Sequence, residues 1–299
     1  MTTPTDSRVV VVTGASSGIG RATALQLSAR GDTVVLVSRS DEALSDTASE
    51  CLAAGGRVMS VPADVADEQA MSEVLRRTLE RFGRIDAWVQ TAAVVAYGRV
   101  EEVPPDAFER VLRTNLLGSA VAARVVVPQF REQRHGVLVL VGSLLDRVVV
   151  PYMSPYVVSK WGVRALARTL AIENRDLPDL HVCLVAPGAV DTPIYDQAGT
   201  YTGRPGTPPP PVMPPERVAA AVVRRLDRPK ADTPVGLSTR LVRLGFVTVP
   251  WLFDRLVGPL ERRFGLGGRP IGPDPGNLHE PRPDREAVHG GWSRAGTRE

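Results

Sequence analysis

The sequence predicts a doubly wound α/β fold, and three features of it carry that prediction. Short β-branched runs alternate with longer segments of helical period along most of the 299 residues. The strand-like runs are apolar at nearly every position, as strands buried on both faces of a parallel sheet must be. The first run also ends in a glycine-rich turn that leads at once into a helical pattern, a tight strand-to-helix connection.

The elements follow in order. Arg8 to Val12 reads as strand, Ile19 to Arg30 as helix, Thr33 to Val37 as strand, Asp41 to Ala54 as helix and Arg57 to Val61 as strand. A helix from Asp67 to Phe82, a strand from Ile85 to Val89, a helix from Pro105 to Phe130 and a strand from Val137 to Val141 continue the alternation. A helix beginning near Pro155, a strand from His181 to Val185 and a helix from Pro215 to Leu226 complete it. Such alternation requires a parallel sheet covered by helices on both sides.

Length at about 150 residues per domain suggests roughly two domains, but α/β domains of 200 to 250 residues are common. The pattern divides the chain into one domain over 1–236, a helical appendage over 237–267 and a Pro/Gly-rich tail over 268–299. The tail holds five prolines, six glycines and six apolar residues, too little apolar surface to fold alone, and is expected to be irregular or disordered. The run Pro208 to Pro211 makes the stretch between Pro187 and Pro215 a long loop.

A net charge of +3 and 43% apolar residues describe an ordinary globular chain. Arginine is scattered and forms no basic stripe, which argues against a nucleic-acid partner. Two cysteines, Cys51 and Cys183, are too few for a disulfide framework, the N-terminus is polar, and no window reaches 18 uninterrupted apolar residues. The expectation is a reducing, cytoplasmic location. The 36 basic residues comprise 34 arginines and two lysines, Lys160 and Lys230, and the chain has three asparagines, Asn115, Asn174 and Asn277.

The glycine turn reads Thr13-Gly-Ala-Ser-Ser-Gly-Ile-Gly20. Such a turn brings backbone N–H groups and the positive end of a helix towards a pyrophosphate. The spacing Gly14, Gly18, Gly20 resembles the Thr-Gly-x-x-x-Gly-x-Gly signature of the short-chain dehydrogenase/reductase family, a Rossmann-fold family. Ser16, Ser17 and Ile19 belong to the same cradle. Arg39, where the second strand ends, is either a solvated strand-end arginine or the cation that accommodates a 2′-phosphate; the second reading makes the cofactor NADP(H). By the resemblance, Asp64 and Val65 contact the adenine, although Asp64 also suits a helix N-cap. Pro187, Gly188, Val190 and Thr192 resemble the segment that receives the nicotinamide carboxamide. Where the family reads Asn-Asn-Ala-Gly, this chain has Gln90-Thr91-Ala92-Ala93, in which the small Ala92 still allows close approach of a cofactor.

Tyr156-Val-Val-Ser-Lys160 stands at the start of a helix with Ser154 as candidate N-cap and Pro155 behind it. Residues four apart share a face, so phenol and ammonium can converge. A cation about 4 Å away contributes roughly 4 kcal/mol at an effective dielectric of 20, or about three pKa units, and would draw a phenol towards neutrality. With five tyrosines and two lysines in the chain, an accidental Tyr-x-x-x-Lys is expected about 3 times in 100. Ser143 ends the fifth strand, at the carboxyl edge where such sheets bind ligands, and can hold a reacting oxygen against the phenol. Asn115 sits within a helix, where asparagine has no propensity advantage.

Together Asn115, Ser143, Tyr156 and Lys160 resemble the family's catalytic tetrad, and the resemblance spans roughly residues 8 to 230. It implies hydride transfer between NADP(H) and a carbon bearing oxygen. Tyr156 is then the acid or base, Lys160 tunes it and binds the nicotinamide ribose, Ser143 positions the substrate oxygen and Asn115 supports a proton path. The family resemblance also implies a homo-oligomer, dimer or tetramer.

Val94, Val95, Tyr97, Leu144, Leu145, Val149, Tyr152, Met153, Ile194 and Tyr195 surround the expected nicotinamide face and point to an apolar carbonyl compound or alcohol as substrate. The loop from Thr192 to Pro214 is the natural lid. Leu241 to Leu260 reads either as packing against the domain or a second subunit, or as a peripheral membrane contact carrying Trp251 and Phe253. A non-catalytic NADP(H)-sensing or interaction module is the alternative function, though such a module needs no tuned phenol. A sugar-nucleotide enzyme is the third option, from which the absence of a larger substrate domain argues away.

Overall fold

The computed structural model describes residues 7–292, the side chains of 237–240 excepted. In chain order the elements are β1 (Val9–Thr13), α1 (Gly18–Ala29), β2 (Thr33–Ser38), α2 (Asp41–Ala53), β3 (Arg57–Pro62), α3 (Glu68–Phe82), β4 (Ala87–Gln90) and β5 (Ala96–Tyr97). Then come α4 (Pro105–Leu112), α5 (Gly118–Gln133), β6 (Gly136–Val141), α6 (Ser154–Glu173), β7 (Leu180–Pro187) and β8 (Gly199–Thr200). The last are α7 (Pro215–Asp227), β9 (Asp232–Val235), α8 (Leu237–Thr248) and α9 (Pro250–Leu260).

Seven parallel strands form one sheet in the order β3-β2-β1-β4-β6-β7-β9. Side chains alternate between its faces, and both faces are dry. Val11, Val35, Trp88 and Leu138 turn to one side, where α3, α5 and α6 supply Met71, Phe130 and Val163. Val10, Val12, Leu36, Val89 and Val139 turn to the other, where α1 and α7 supply Leu27 and Val222. The strand order reverses between β1 and β4, whose register pairs Thr13 with Gln90. Connections leave this point in opposite directions, so a crevice opens at the carboxyl ends of these two strands.

By length and composition the run Pro105–Gln133 is apolar enough to cross a membrane. It lies instead against the sheet, with Ala122, Val126 and Phe130 buried. Within it the single predicted helix is interrupted by a π-helical turn over Arg113–Leu117. The predicted N-cap Ser154 is the first residue of α6, and Met153 caps it without a side-chain hydrogen bond.

Three further differences from the sequence reading concern the C-terminal third. Asp232–Val235 adds a seventh strand, unpredicted because Thr233-Pro234 has no strand signature. The loop expected as a lid is held down: Gly199 N–H donates to the Val95 carbonyl at 2.9 Å and Tyr201 N–H to the Tyr97 carbonyl at 2.7 Å. Residues 268–292, expected to be irregular or disordered, carry almost no regular structure, yet they lie against the domain with Leu278 fully buried among Val94, Ala96, Val103, Ala107 and Val111. That segment folds on a surface the domain supplies.

Leu138 is fully buried in β6 whereas Leu52 is 59% exposed on α2. Leu138→Ala is expected to lower stability by about 3 kcal/mol and Leu52→Ala by less than about 0.5 kcal/mol, read from the urea midpoints at unchanged slope.

Candidate active site

The glycine turn folds over the crevice as its sequence requires. Gly14 and Gly18 adopt φ values of +65° and +51°, which side-chain-bearing residues rarely reach. At Gly20 an added Cβ would collide with the Gly14 carbonyl. Gly14, Ser16, Ser17, Gly18, Ile19, Gly20, Arg39, Asp64, Val65, Ala92 and Thr192 therefore line one cavity of about 140 Å³ at the end of β1. A backbone cradle at a helix N-terminus suits a pyrophosphate, so these residues fit a dinucleotide.

Gln90 and Thr91, which replace the family's asparagines, keep the neighbouring strands tied. Thr13 Oγ1 donates to Gln90 Oε1 at 3.0 Å, and Thr91 Oγ1 donates to the Thr13 carbonyl at 2.5 Å. These two side chains tie the end of β1 to the end of β4, with Gln90 Nε2 left buried without a partner. Asp64 is not the N-cap of α3; Asp67 holds that place. Against the effect of its own burial, the Ala66 N–H and the Arg110 guanidinium hold the Asp64 carboxyl below its usual range. Arg110 Nη2 stands 2.6 Å from Asp64 Oδ2.

A second, larger cavity of about 640 Å³ meets the first along Ile19, Thr91, Ala93, Thr192 and Ile194. Ser143, Tyr156 and Lys160 open into it together with Pro187, Gly188 and Val190. Of the ten apolar residues expected around the reacting centre, Val95, Tyr97, Leu144, Leu145, Met153, Ile194 and Tyr195 line this chamber. Val94 lines the first cavity, Val149 is exposed and Tyr152 lies outside both linings. The appendage roofs the chamber with Val242, Gly245, Val249, Leu252, Phe253, Leu256 and Val257. Leu241, Leu244, Val247 and Trp251 face outward from the same two helices and are exposed.

Lys160 Nζ donates to the Val141 carbonyl at 3.0 Å and lies 5.4 Å from the centre of the Tyr156 ring. The Ser143 hydroxyl opens into the same chamber as the Tyr156 phenol and acts to lower its pKa. Asn115 is buried in the π-helical turn, a conformation that recurs at functional sites. Its Oδ1 accepts from the Val94 N–H at 2.8 Å, while its Nδ2 donates to the Val94 carbonyl at 2.9 Å and to Ser159 Oγ at 3.0 Å. Asn115 therefore fixes the chain after β4 to α6 and lines neither cavity.

The expected downward shift of the phenol is not what the structure gives. Burial pushes Tyr156 up to about 12, outweighing the effect of Ser143, and Asp146 adds to the rise. Burial likewise brings Lys160 down to about 8, against the attraction of Asp146. Desolvation of both groups is the larger effect.

Sequence reasoning missed Asp146, Arg147, Arg164 and Asp232. Asp146 is fully buried and pairs with Arg147 at 3.1 Å and Arg164 at 3.4 Å, and both arginines reach Asp232 on β9. The Asp146 carboxylate also accepts from the Ser143 N–H, and Ser143 Oγ from the Leu145 N–H, so a capping box holds the serine in place. The spacing Ser143-x-x-Asp146 was the available signal. Glu261 was missed as well; it lines the chamber, and burial pushes its carboxyl up to about 7.

The short chain dehydrogenase family model matches residues 8–201, and the chain belongs to that family. It is 30% identical to the uncharacterized oxidoreductase YxnA of Bacillus subtilis over 269 residues, 89% of this chain and 76% of the relative. An alcohol dehydrogenase from Thermococcus sibiricus, complexed with 5-hydroxy-NADP, superposes with a TM-score of 0.66 at 31% identity, covering 77% of this chain and 95% of the other. A short chain dehydrogenase/reductase from Burkholderia phymatum in complex with NAD shares the fold, with a TM-score of 0.72 at 24% identity over 86% and 97% of the two chains. The chain is accordingly a hydride-transferring oxidoreductase with a nicotinamide cofactor.

Gly20→Ala is expected to displace the glycine turn and weaken NADH binding at least about tenfold, close to 1.4 kcal/mol, in calorimetric titration. Asp146→Asn leaves Arg147 with one anionic partner in place of two and is expected to lower the melting temperature and the turnover number together.

Proposed function

We propose that the protein reduces the carbonyl group of an apolar small molecule to a secondary alcohol, and oxidises that alcohol in reverse. The observation that carries this reading is the convergence of Ser143, Tyr156 and Lys160 on one wall of a chamber that adjoins the glycine-turn cavity. When bound, a nicotinamide dinucleotide supplies or accepts the hydride.

The chain's own residues govern the proton and the oxygen. Tyr156, pushed up to about 12, holds its proton at neutral pH and is in the form that donates to a carbonyl oxygen. Ser143 donates to the same oxygen and fixes it beside the phenol. Charged Lys160 stabilises the phenolate left after donation, and its bond to the Val141 carbonyl anchors the ammonium at the end of β6. Asn115 contributes position, by locking the chain after β4 to α6.

An apolar substrate follows from the chamber itself: among its lining residues only Lys160 and Glu261 carry charge-bearing side chains. A non-catalytic sensing module would have no use for a buried phenol opening into such a volume.

Tyr156→Phe is expected to reduce carbonyl reduction by at least about a thousandfold while changing NADH affinity by less than about twofold, measured by stopped-flow turnover and by titration. Because Lys160 loses its proton as pH rises through about 8, the reduction rate should be flat below that value and fall above it. Lys160→Met should remove the break near 8 as well as lower the plateau.

A further inference from the structure

Arg39 is the residue on which the expectation of NADP(H) rests, and the C-terminal tail is the segment without a role. The structure joins them. Arg39 Nη1 donates to the carbonyls of Leu278 at 3.0 Å and His279 at 3.1 Å, and Nη2 donates to the Asn277 carbonyl at 2.6 Å. The tail is anchored there by further contacts. Asn277 N–H donates to the Gln197 carbonyl at 2.8 Å and Asn277 Nδ2 to Gln197 Oε1 at 2.7 Å. Leu278 is fully buried, and Arg110 Nε donates to its carbonyl at 2.8 Å. The guanidinium is thus engaged by three backbone oxygens at the place where a 2′-phosphate would need it.

Further along, the tail returns to the glycine turn. Gly18 N–H donates to the Ala287 carbonyl at 2.8 Å, which brings Glu286 to the cavity that Ser16 lines. One oxygen of the Glu286 carboxylate, Oε2, is buried and has no hydrogen-bond partner. Glu286 lines the same cavity as Ser16, Arg39 and Asp64, together with Asn277 and Pro281 of the tail. Burial pushes this carboxyl up, while Ser16, Arg39 and Arg21 draw it down. A buried acceptor without a donor calls for one. Between the glycine turn and the end of the second strand, a dinucleotide presents the adenosine ribose, and an acidic side chain there selects the 2′-hydroxyl.

We propose that Glu286, delivered by the C-terminal tail, is a cofactor-specificity residue that accepts the ribose 2′-hydroxyl and excludes a 2′-phosphate, so that the protein prefers NAD(H) to NADP(H). The proposal rests on the dinucleotide reading of the glycine-turn cavity. It reverses the expectation drawn from Arg39 alone: the acid comes from a segment more than 240 residues downstream of the second strand, and the arginine serves to hold that segment.

Calorimetric titration of the full chain with NADH and with NADPH tests this without reference to turnover. Wild type is expected to bind NADH at least tenfold more tightly than NADPH, and Glu286→Gln to narrow the gap chiefly by tightening NADPH. Arg39→Gln should weaken NADH and narrow the gap, because it loosens the tail that carries Glu286. Equal or tighter binding of NADPH by wild type, an unchanged ratio in Glu286→Gln, or a loss confined to NADPH in Arg39→Gln would each overturn the proposal. Failure of wild type to bind either dinucleotide would overturn the dinucleotide reading and this proposal with it, whereas tight binding of both without discrimination sinks the proposal alone.

Discussion

The reversal of strand order between β1 and β4 is the constraint on which the site depends. All seven strands are parallel and dry on both faces, so every connection must cross over a helix, and helices leaving β1 and β4 diverge. The crevice between them forms without any side chain being spent to make it. What the side chains do is hold its rim at fixed width. Thr13, Gln90 and Thr91 bind β1 to β4 across the gap, and Asn115 binds the chain after β4 to α6. Chemistry at α6 and the cradle at α1 are therefore positioned by one short set of hydrogen bonds.

Much of this was legible in the sequence, because its causes are local. Fully apolar strands, the spacing of Gly14, Gly18 and Gly20, and Tyr156 and Lys160 one helical turn apart each express a constraint within a few residues. What was not legible depends on residues far apart in the chain. Arg39 reads as a phosphate ligand until 277–279 are seen to occupy its donors. A tail with six apolar residues cannot fold by its own burial, and nothing local shows that Leu278 finds a cavity between β5 and α4. The π-helical turn at Asn115 and the buried ion cluster of Asp146, Arg147, Arg164 and Asp232 likewise arise from packing, although the capping-box spacing at Ser143 was a partial signal.

Substitution of the family's Asn-Asn by Gln90-Thr91 shows how the rim tolerates change. Gln90 turns Oε1 to both Thr13 Oγ1 and Trp88 Nε1, so one acceptor satisfies two buried donors. Thr91 closes the remaining gap through a hydroxyl that reaches the Thr13 carbonyl. The cost is one buried amide nitrogen without a partner. In this chain the side chains of Gln90 and Thr91 join the ends of two neighbouring strands.

The size of the chamber and the protonation state of its acid have the same origin. Tyr156 and Lys160 are buried in the wall of the chamber, and that loss of solvent disfavours phenolate and ammonium alike. An open site would let the ammonium lower the phenol, as the helix spacing alone suggests. A closed one keeps the proton on Tyr156 at neutral pH and brings Lys160 close to neutrality, so the two groups act as a donor and a narrowly charged stabiliser. The apolar lining of the chamber and the retention of the Tyr156 proton are therefore two consequences of one act of burial.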